Sequence, residues 1–236
     1  MAKIRIGAIS DTHGSLPKIT QECDVFFIAG DISPLEIQFN SPKMSDWIFS
    51  RFVEWVKTIP SQAVVLIAGN HDAWLERATE SQLYLMEKET GHKLKYLKNE
   101  IWKFTDDDAI EWSIFGTPYC HFFGRWPFMR EPYILTQHFA AIPDVVDIIV
   151  THDPPFGIGN CDVILEKPRL NGINTEDHCG GVELAEKLKN VDFKLLMCGH
   201  IHSGSHEIEK KCVNVSYLDE KYSEGTYDIF YTELEK

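Results

Sequence analysis

The sequence is short of positive charge. Its 236 residues carry 23 Lys and Arg against 36 Asp and Glu, a formal net charge of -13. A protein that grips nucleic acid along its phosphates needs clustered Lys and Arg, so the balance argues against that class. A small anionic substrate fits such a chain only where something local reverses the sign, and a pair of divalent cations does so. Paired cysteines are lacking as well. Cys23, Cys120, Cys161, Cys179, Cys198 and Cys212 form no C-x-x-C pair, which excludes zinc-knuckle and thioredoxin spacings. Cys198 and Cys212 sit in apolar runs and read as small core residues; a reduced, cytoplasmic protein is expected. No apolar run approaches membrane-spanning length, and no membrane partner is expected. Strand-like sequence starts at Lys3, so no secretory leader is expected. Internal repeats, low-complexity segments and clear linkers are absent, and one domain over 1–236 is expected. Hydrophobic residues make up 44% of the chain, enough for a sizeable core and too many for disorder.

What is present is a pattern repeated five times. Apolar, β-branched runs at 4–10, 25–29, 63–68, 145–150 and 193–198 each end in a polar motif. The motifs are Asp11-Thr12-His13, Gly30-Asp31, Gly69-Asn70-His71-Asp72, Thr151-His152-Asp153 and Gly199-His200-Ile201-His202. The runs predict buried strands, and in open α/β sheets sites form outside the carboxyl ends of strands. Ligands far apart in sequence then converge in space.

Between these strands, Trp47, Ile48, Phe52, Trp55, Val56 and Ile59 fall at helical spacing. They predict a helix over 45–59, capped by Ser45 and stopped by Pro60. A second helix is predicted over 73–90, with Asp72 as its N-cap and Gly91 as its stop. Short strands are predicted at 92–97, 101–104 and 110–115. Three in succession suggest a second sheet after a first βαβαβ half, and Asp106-Asp107-Asp108 reads as a solvated turn. Residues 117–133 are aromatic and broken by Pro118, Gly124, Pro127 and Pro132, so no regular element is expected there. A helix at 134–141, a loop at 154–179, a helix at 182–189 and strands at 213–216 and 226–232 complete the chain. The long loop is of the kind that is usually functional or mobile. Two strand sets with flanking helices imply an α/β class, a four-layer α/β/β/α sandwich of two mixed β-sheets.

Singly, each motif has a bland explanation: a capping Asp, a Gly-Asp turn, a hydrogen-bonded structural His. Jointly they place carboxylates, imidazoles and an amide at strand ends, with no thiolate among them. Asp11 and His13 share one turn, the two oxygens of Asp31 suit a bridge, and His200 and His202 alternate onto one side of an extended segment. Such a mixed oxygen and nitrogen set suits two divalent ions such as Mn, Fe, Zn, Co or Ni. Two metals clamp an in-line displacement at phosphorus and activate a bridging water. His121 and His178 lie in irregular loops, where a side chain can contact substrate or serve the surface. Arg125 and Arg130 can meet phosphate or pair with carboxylates. The aromatic stretch can stack on a base, fill a satellite core or touch a second subunit.

In this order the motifs resemble the calcineurin-like metallophosphoesterase family, over residues 6 to 202. Phe115-Gly116-Thr117-Pro118, the aromatic run to Phe128, Thr151 to Pro155 and Asn214-Val215-Ser216 resemble its compact branch of metallophosphoesterase-domain-containing, brain- and fetal-type phosphodiesterases. The resemblance implies a two-sheet sandwich flanked by helices. One metal then takes Asp11, His13 and His202, the other Asn70, His152 and His200, and Asp31 bridges them. His71 is implied as a phosphate-binding residue or as the acid for the leaving oxygen, with Asp72 supporting it through a hydrogen bond; Asn70, Arg130 and His121 complete the expected substrate contacts. A phosphodiesterase or phosphatase of small phosphoesters is implied, cyclic nucleotides among them, acting through a metal-bridging hydroxide with manganese favoured. A nuclease and a non-catalytic scaffold on the same fold are the alternatives.

Overall fold

The computed structural model describes residues 2–164 and 178–236. Part of the loop expected over 154–179, at 165–177, lies outside the described residues.

The chain opens with β1 (Lys3–Ile9) and β2 (Cys23–Ala29). A helical stretch follows: α1 (Ser41–Trp47), one wide turn at Ile48–Phe52 and α2 (Val53–Thr58). It begins four residues before the expected start. Asn40, not Ser45, is the cap, accepting from Lys43 N at 3.2 Å. Pro42 stands in the first turn, where its missing N–H costs nothing. Next comes β3 (Ser61–Ile67). The helix expected over 73–90 is two, α3 (Ala73–Arg77) and α4 (Glu80–Glu89). Ala78 is extended, and Thr79 with Gln82 forms a reciprocal capping box that starts α4 afresh.

Then come β4 (Leu94–Tyr96), β5 (Glu100–Thr105), β6 (Glu111–Thr117), β7 (Cys120–His121) and β8 (Met129–Arg130). The chain closes with α5 (Pro132–Phe139), β9 (Ile148–Thr151), α6 (Val182–Leu188), β10 (Leu195–Cys198), β11 (Cys212–Asn214) and β12 (Phe230–Glu235). The two-residue strands β7 and β8 pair within the stretch expected to hold no regular element.

Two five-stranded sheets result, ordered β12-β1-β2-β3-β4 and β11-β10-β9-β6-β5. β4 belongs to the first sheet and not, as its spacing suggested, to the second. It returns parallel to β3 with Val64 opposite Leu94 and Leu66 opposite Tyr96. α3 and α4 supply the crossover that a parallel neighbour requires. Each sheet is mixed: β12 runs antiparallel to β1, and β5 antiparallel to β6.

Alternation sorts the side chains. Val25, Phe27 and Ala29 face the space between the sheets, together with Ile114, Ile148, Val150 and Met197 of the second sheet. Phe26 and Ile28 join Met44, Phe52 and Val56 of the helical stretch. Phe115, Ile149 and Leu196 join Leu135 and Phe139 of α5 and Leu184 of α6 in that same cluster. Cys198 and Cys212 are buried as expected. Each fully buried Phe, Leu or Ile contributes about 1.5–3 kcal/mol, so the four layers rest on apolar burial. The inner parallel strands end at one edge of the sandwich. There the segments after β1 and β11 meet in a bridge between Ser10 and Ser216. Among the described residues no helix is long and apolar enough to cross a membrane.

Candidate metal centre

At that edge five turns converge. The ligand atoms of Asp11, His13 and His202 lie within 4.8 Å of one another, and so do those of Asp11, Asp31 and His152. One oxygen of Asp31, Oδ2, lies 3.3 Å from His152 Nε2 and 3.9 Å from His13 Nε2. Asn70 Oδ1 is 3.0 Å from His152 Nε2. His200 stands beside them, its ring 5.1 Å from that of His152. All seven residues expected as ligands are thus placed at one edge.

The backbone is bent to do this. Asp11 (φ 52°), His13 (43°), Asp31 (54°) and His200 (69°) occupy the left-handed region, which costs a residue with a Cβ about 1–2 kcal/mol. Such strain persists only where the surroundings over-determine it, and here they do. Asp72 is buried and accepts from four donors: Asp31 N and Gly69 N on one oxygen, Ser33 N and Ser33 Oγ on the other. It staples the turn after β2 to the turn after β3. Asp72 does occupy the N-cap position of α3, but its side chain makes no capping bond. Two glycines make the approach possible. A Cβ on Gly69 would strike Asp31 Oδ1 and lie 2.6 Å from His152 Cε1; one on Gly199 would strike Ser10 Oγ and Asp11 Oδ2.

Hydrogen bonds also aim the imidazoles. His152 Nδ1 donates to Ala29 O at 2.8 Å and His202 Nδ1 to Asp219 O at 2.9 Å. A carbonyl only accepts, so each Nδ1 carries a proton and each Nε2 is turned toward the carboxylates, where it holds a proton or, once that is lost, offers its lone pair to an ion, the usual orientation of a metal-binding His. Asp11 accepts from Ser216 Oγ at 2.7 Å and from His200 N. His13 differs. Its side chain is only 2% exposed, and neither ring nitrogen has a hydrogen-bond partner. Leaving a buried polar group unsatisfied costs about 1–3 kcal/mol.

The charge balance has the same bearing. Burial pushes the Asp11 and Asp31 carboxyls up, yet the imidazoles around them, led by His202 at Asp11 and His152 at Asp31, hold both below the ordinary range. Burial lowers His152 and His202, but Asp31 raises the first to about 10 and Asp11 the second to about 9. Burial takes His13 down to about 4, and His200 as well, there reinforced by His152. Asp72 rises to about 7 through burial and the neighbouring Asp31 charge. Two buried carboxylates side by side demand cationic charge, either protons on His152 and His202 or divalent ions in their place. The orphaned nitrogens of His13 and this donor set fit divalent ions.

Two further imidazoles flank the cluster. The His71 ring lies 5.0 Å from that of His13. Its partner is not Asp72, as expected, but Gln38, whose Oε1 is 2.8 Å from His71 Nδ1. All the acceptor contacts of the Asp72 carboxylate are spent on the two turns. Gln38 Nε2 donates to Leu35 O, which turns the amide oxygen toward His71. On the other side His121, 6.2 Å from the His200 ring, places Nδ1 2.8 Å from Asp153 Oδ2. Burial lowers His121, but the Asp153 carboxylate outweighs it and the imidazole titrates higher than usual. Arg130 is turned elsewhere. Its guanidinium reaches Glu76 at 3.1 Å and Met129 O at 2.8 Å, and lies over the Tyr119 ring, so it anchors the aromatic stretch to α3. His178 pairs with Asp162 at 2.7 Å, and His138 stacks on Tyr119.

Sequence reasoning missed Gln38, Ser216, Asp219 and Tyr222, whose ring stands 5.0 Å from His13 and 5.3 Å from His202. Ser216 alone carried a signal, since it too follows a buried strand.

Known proteins bear on this arrangement. Residues 4–204 match the family model described as calcineurin-like phosphoesterase. Metallophosphoesterase domain-containing protein 1 of Homo sapiens is 26% identical over 216 residues, covering 85% of this chain; the alignment spans 61% of the human protein's length. A UPF0046 protein of Caenorhabditis elegans is 26% identical over 93% of this chain and 77% of its own. Among solved structures, the phosphopantetheinyl hydrolase of Mycobacterium tuberculosis superposes with a TM-score of 0.54 at 13% identity, over 92% of this chain and 90% of that one. At that identity the likeness speaks for the fold.

Proposed function

Because the chain belongs to the calcineurin-like phosphoesterase family, we propose that it hydrolyses small phosphoesters with the help of two divalent cations. Nucleotides, cyclic ones included, are candidate substrates, and manganese is the favoured ion. The observation that carries the proposal is His13, a buried imidazole with both nitrogens unpartnered inside a ring of carboxylates and imidazoles. Asp11, His13 and His202 would hold one cation, Asn70, His152 and His200 the other, with Asp31 shared. Divalent cations there would neutralise charge gathering on the phosphoryl oxygens and make water a competent nucleophile at neutral pH.

The remaining work falls to the chain's own groups. Gln38 fixes the ring of His71 by accepting from Nδ1, so Nε2 is the atom free to serve the leaving oxygen. Asp153 orients His121 in the same way beside His200, where its ring can meet a phosphoryl oxygen. Asp72 acts through the two turns it ties together. Arg130 has no part in the proposal, being committed to Glu76.

The test is a metal-supplemented panel of phosphoesters with elemental analysis of the same sample. Hydrolysis of bis-p-nitrophenyl phosphate with added manganese, abolished by chelator, is expected. Failure to turn over any ester with two ions bound would leave a scaffold. Cleavage confined to single- or double-stranded DNA would make the protein a nuclease.

A further inference from the structure

One side of the centre is rimmed by exposed rings. Trp126 sets its indole 4.7 Å from the His71 ring, tilted 46° to it. Phe39 lies 6.0 Å beyond, inclined 32° to the indole. Trp126 is 36% and Phe39 57% exposed. Large rings contribute most when buried, so a pair left open beside a reactive centre is a candidate binding surface.

Both rings are tethered to the supports of His71. Phe39 follows Gln38, whose amide is held between Leu35 O and His71, so the segment that orients the imidazole also presents Phe39. Trp126 is held from the other side. A Cβ on Gly124 would come within 3.0 Å of the indole, so glycine lets the chain fold against the ring. Two residues on, Phe128 N donates to Glu76 Oε1 at 3.0 Å. Glu76 lies on α3, the helix that starts just after His71 and Asp72.

We propose that Trp126 and Phe39 form a leaving-group subsite that takes a flat, apolar aryl or heteroaryl group esterified to the phosphoryl centre. The assignment rests on the reading of His71 as the donor to the leaving oxygen: whatever departs with that oxygen lies just past His71, where the two faces stand. In hydrolysis the P–O bond to that group breaks with its electron pair on the departing oxygen, which takes a proton from His71. A water oxygen forms the new bond to phosphorus and gives its proton to solvent. Ring faces accept flat groups of varied outline, so the subsite selects shape and apolarity over identity.

The test compares phenylphosphonate with methylphosphonate on the manganese-loaded protein by calorimetry. Phenylphosphonate is expected to bind about tenfold tighter or better. That preference should collapse in Trp126→Ala, fall partway in Phe39→Ala and largely return in Trp126→Phe. Equal affinities in the native chain, binding of neither ligand, or an undiminished preference in Trp126→Ala would overturn the subsite. Hydrolysis adds a second readout: for aryl and fluoroalkyl esters matched in leaving-group acidity, the ratio of kcat/KM values should fall about tenfold in Trp126→Ala. A fall common to both classes, with a lowered Tm, would make the pair structural. Should no ester be hydrolysed while the phosphonate preference still depends on Trp126, the hydrolase reading falls and the subsite stands.

Discussion

His152 and His13 reach toward the same oxygen of Asp31, and the chain treats them differently. His152 is furnished: Nδ1 donates to Ala29 O, and Nε2 lies 3.0 Å from Asn70 Oδ1 and 3.3 Å from Asp31. His13 is buried with no hydrogen bond to either nitrogen, its Nε2 standing 3.9 Å from the Asp31 oxygen. An ion at the His13 half supplies a missing partner and displaces only the contact of His202 with Asp11, whereas an ion at the His152 half must displace contacts with both Asn70 and Asp31. The two halves should therefore load in sequence, Asp11, His13 and His202 first, and a manganese titration should resolve two steps.

The largest effect should come from Asp31, the residue that the two halves share in the proposed centre. Asp31→Asn is expected to take metal content below one ion per chain and hydrolysis down by more than about a hundredfold. Two retained ions would mean that the halves are not coupled through Asp31. His71→Ala leaves both halves intact and separates holding metal from doing chemistry. Turnover should fall roughly 10²- to 10⁴-fold with metal content unchanged, and equal turnover would remove His71 from the mechanism. Ser216→Ala strips a donor from Asp11 alone. The first step of the titration should weaken roughly 10- to 100-fold while the second stays put; a shift in both would dissolve the distinction.

The smallest effect, and the most direct, is on stability under chelation. His152→Ala leaves Ala29 O and a buried carboxylate short of a partner and should cost about 3–5 kcal/mol. His13→Ala removes two unsatisfied atoms and should cost less than about 1 kcal/mol. Urea unfolding of the chelated variants measures both, and equal losses would refute the contrast.

What the sequence revealed, and what it withheld, follows from how each contact is made. The convergence of the seven residues expected as ligands was legible because each polar motif closes an apolar run, and parallel strands deliver such ends to one edge. The break in the helix at Ala78 was not, since residues 73–90 hold no Gly or Pro and the interruption comes from the Thr79 capping box. Nor was the home of β4, because a crossover through α3 and α4 reads the same in either sheet. Gln38 carries no strand-end signature and reaches His71 across 33 residues of chain; Ser216 does follow a strand, but that position does not say that it reaches Asp11 across 205. Contacts of that kind are consequences of packing, and no local pattern announces them.

The left-handed turns at Asp11, His13, Asp31 and His200 have a practical consequence. Glycine adopts that backbone freely, while each of these residues holds it at a cost of about 1 kcal/mol or more. A variant library sorted for folding alone, under chelation and with no substrate in hand, should therefore enrich glycine at His13 and His200, where ring loss is cheapest. Selection blind to function would erase the centre first, and the positions it erased would draw its outline.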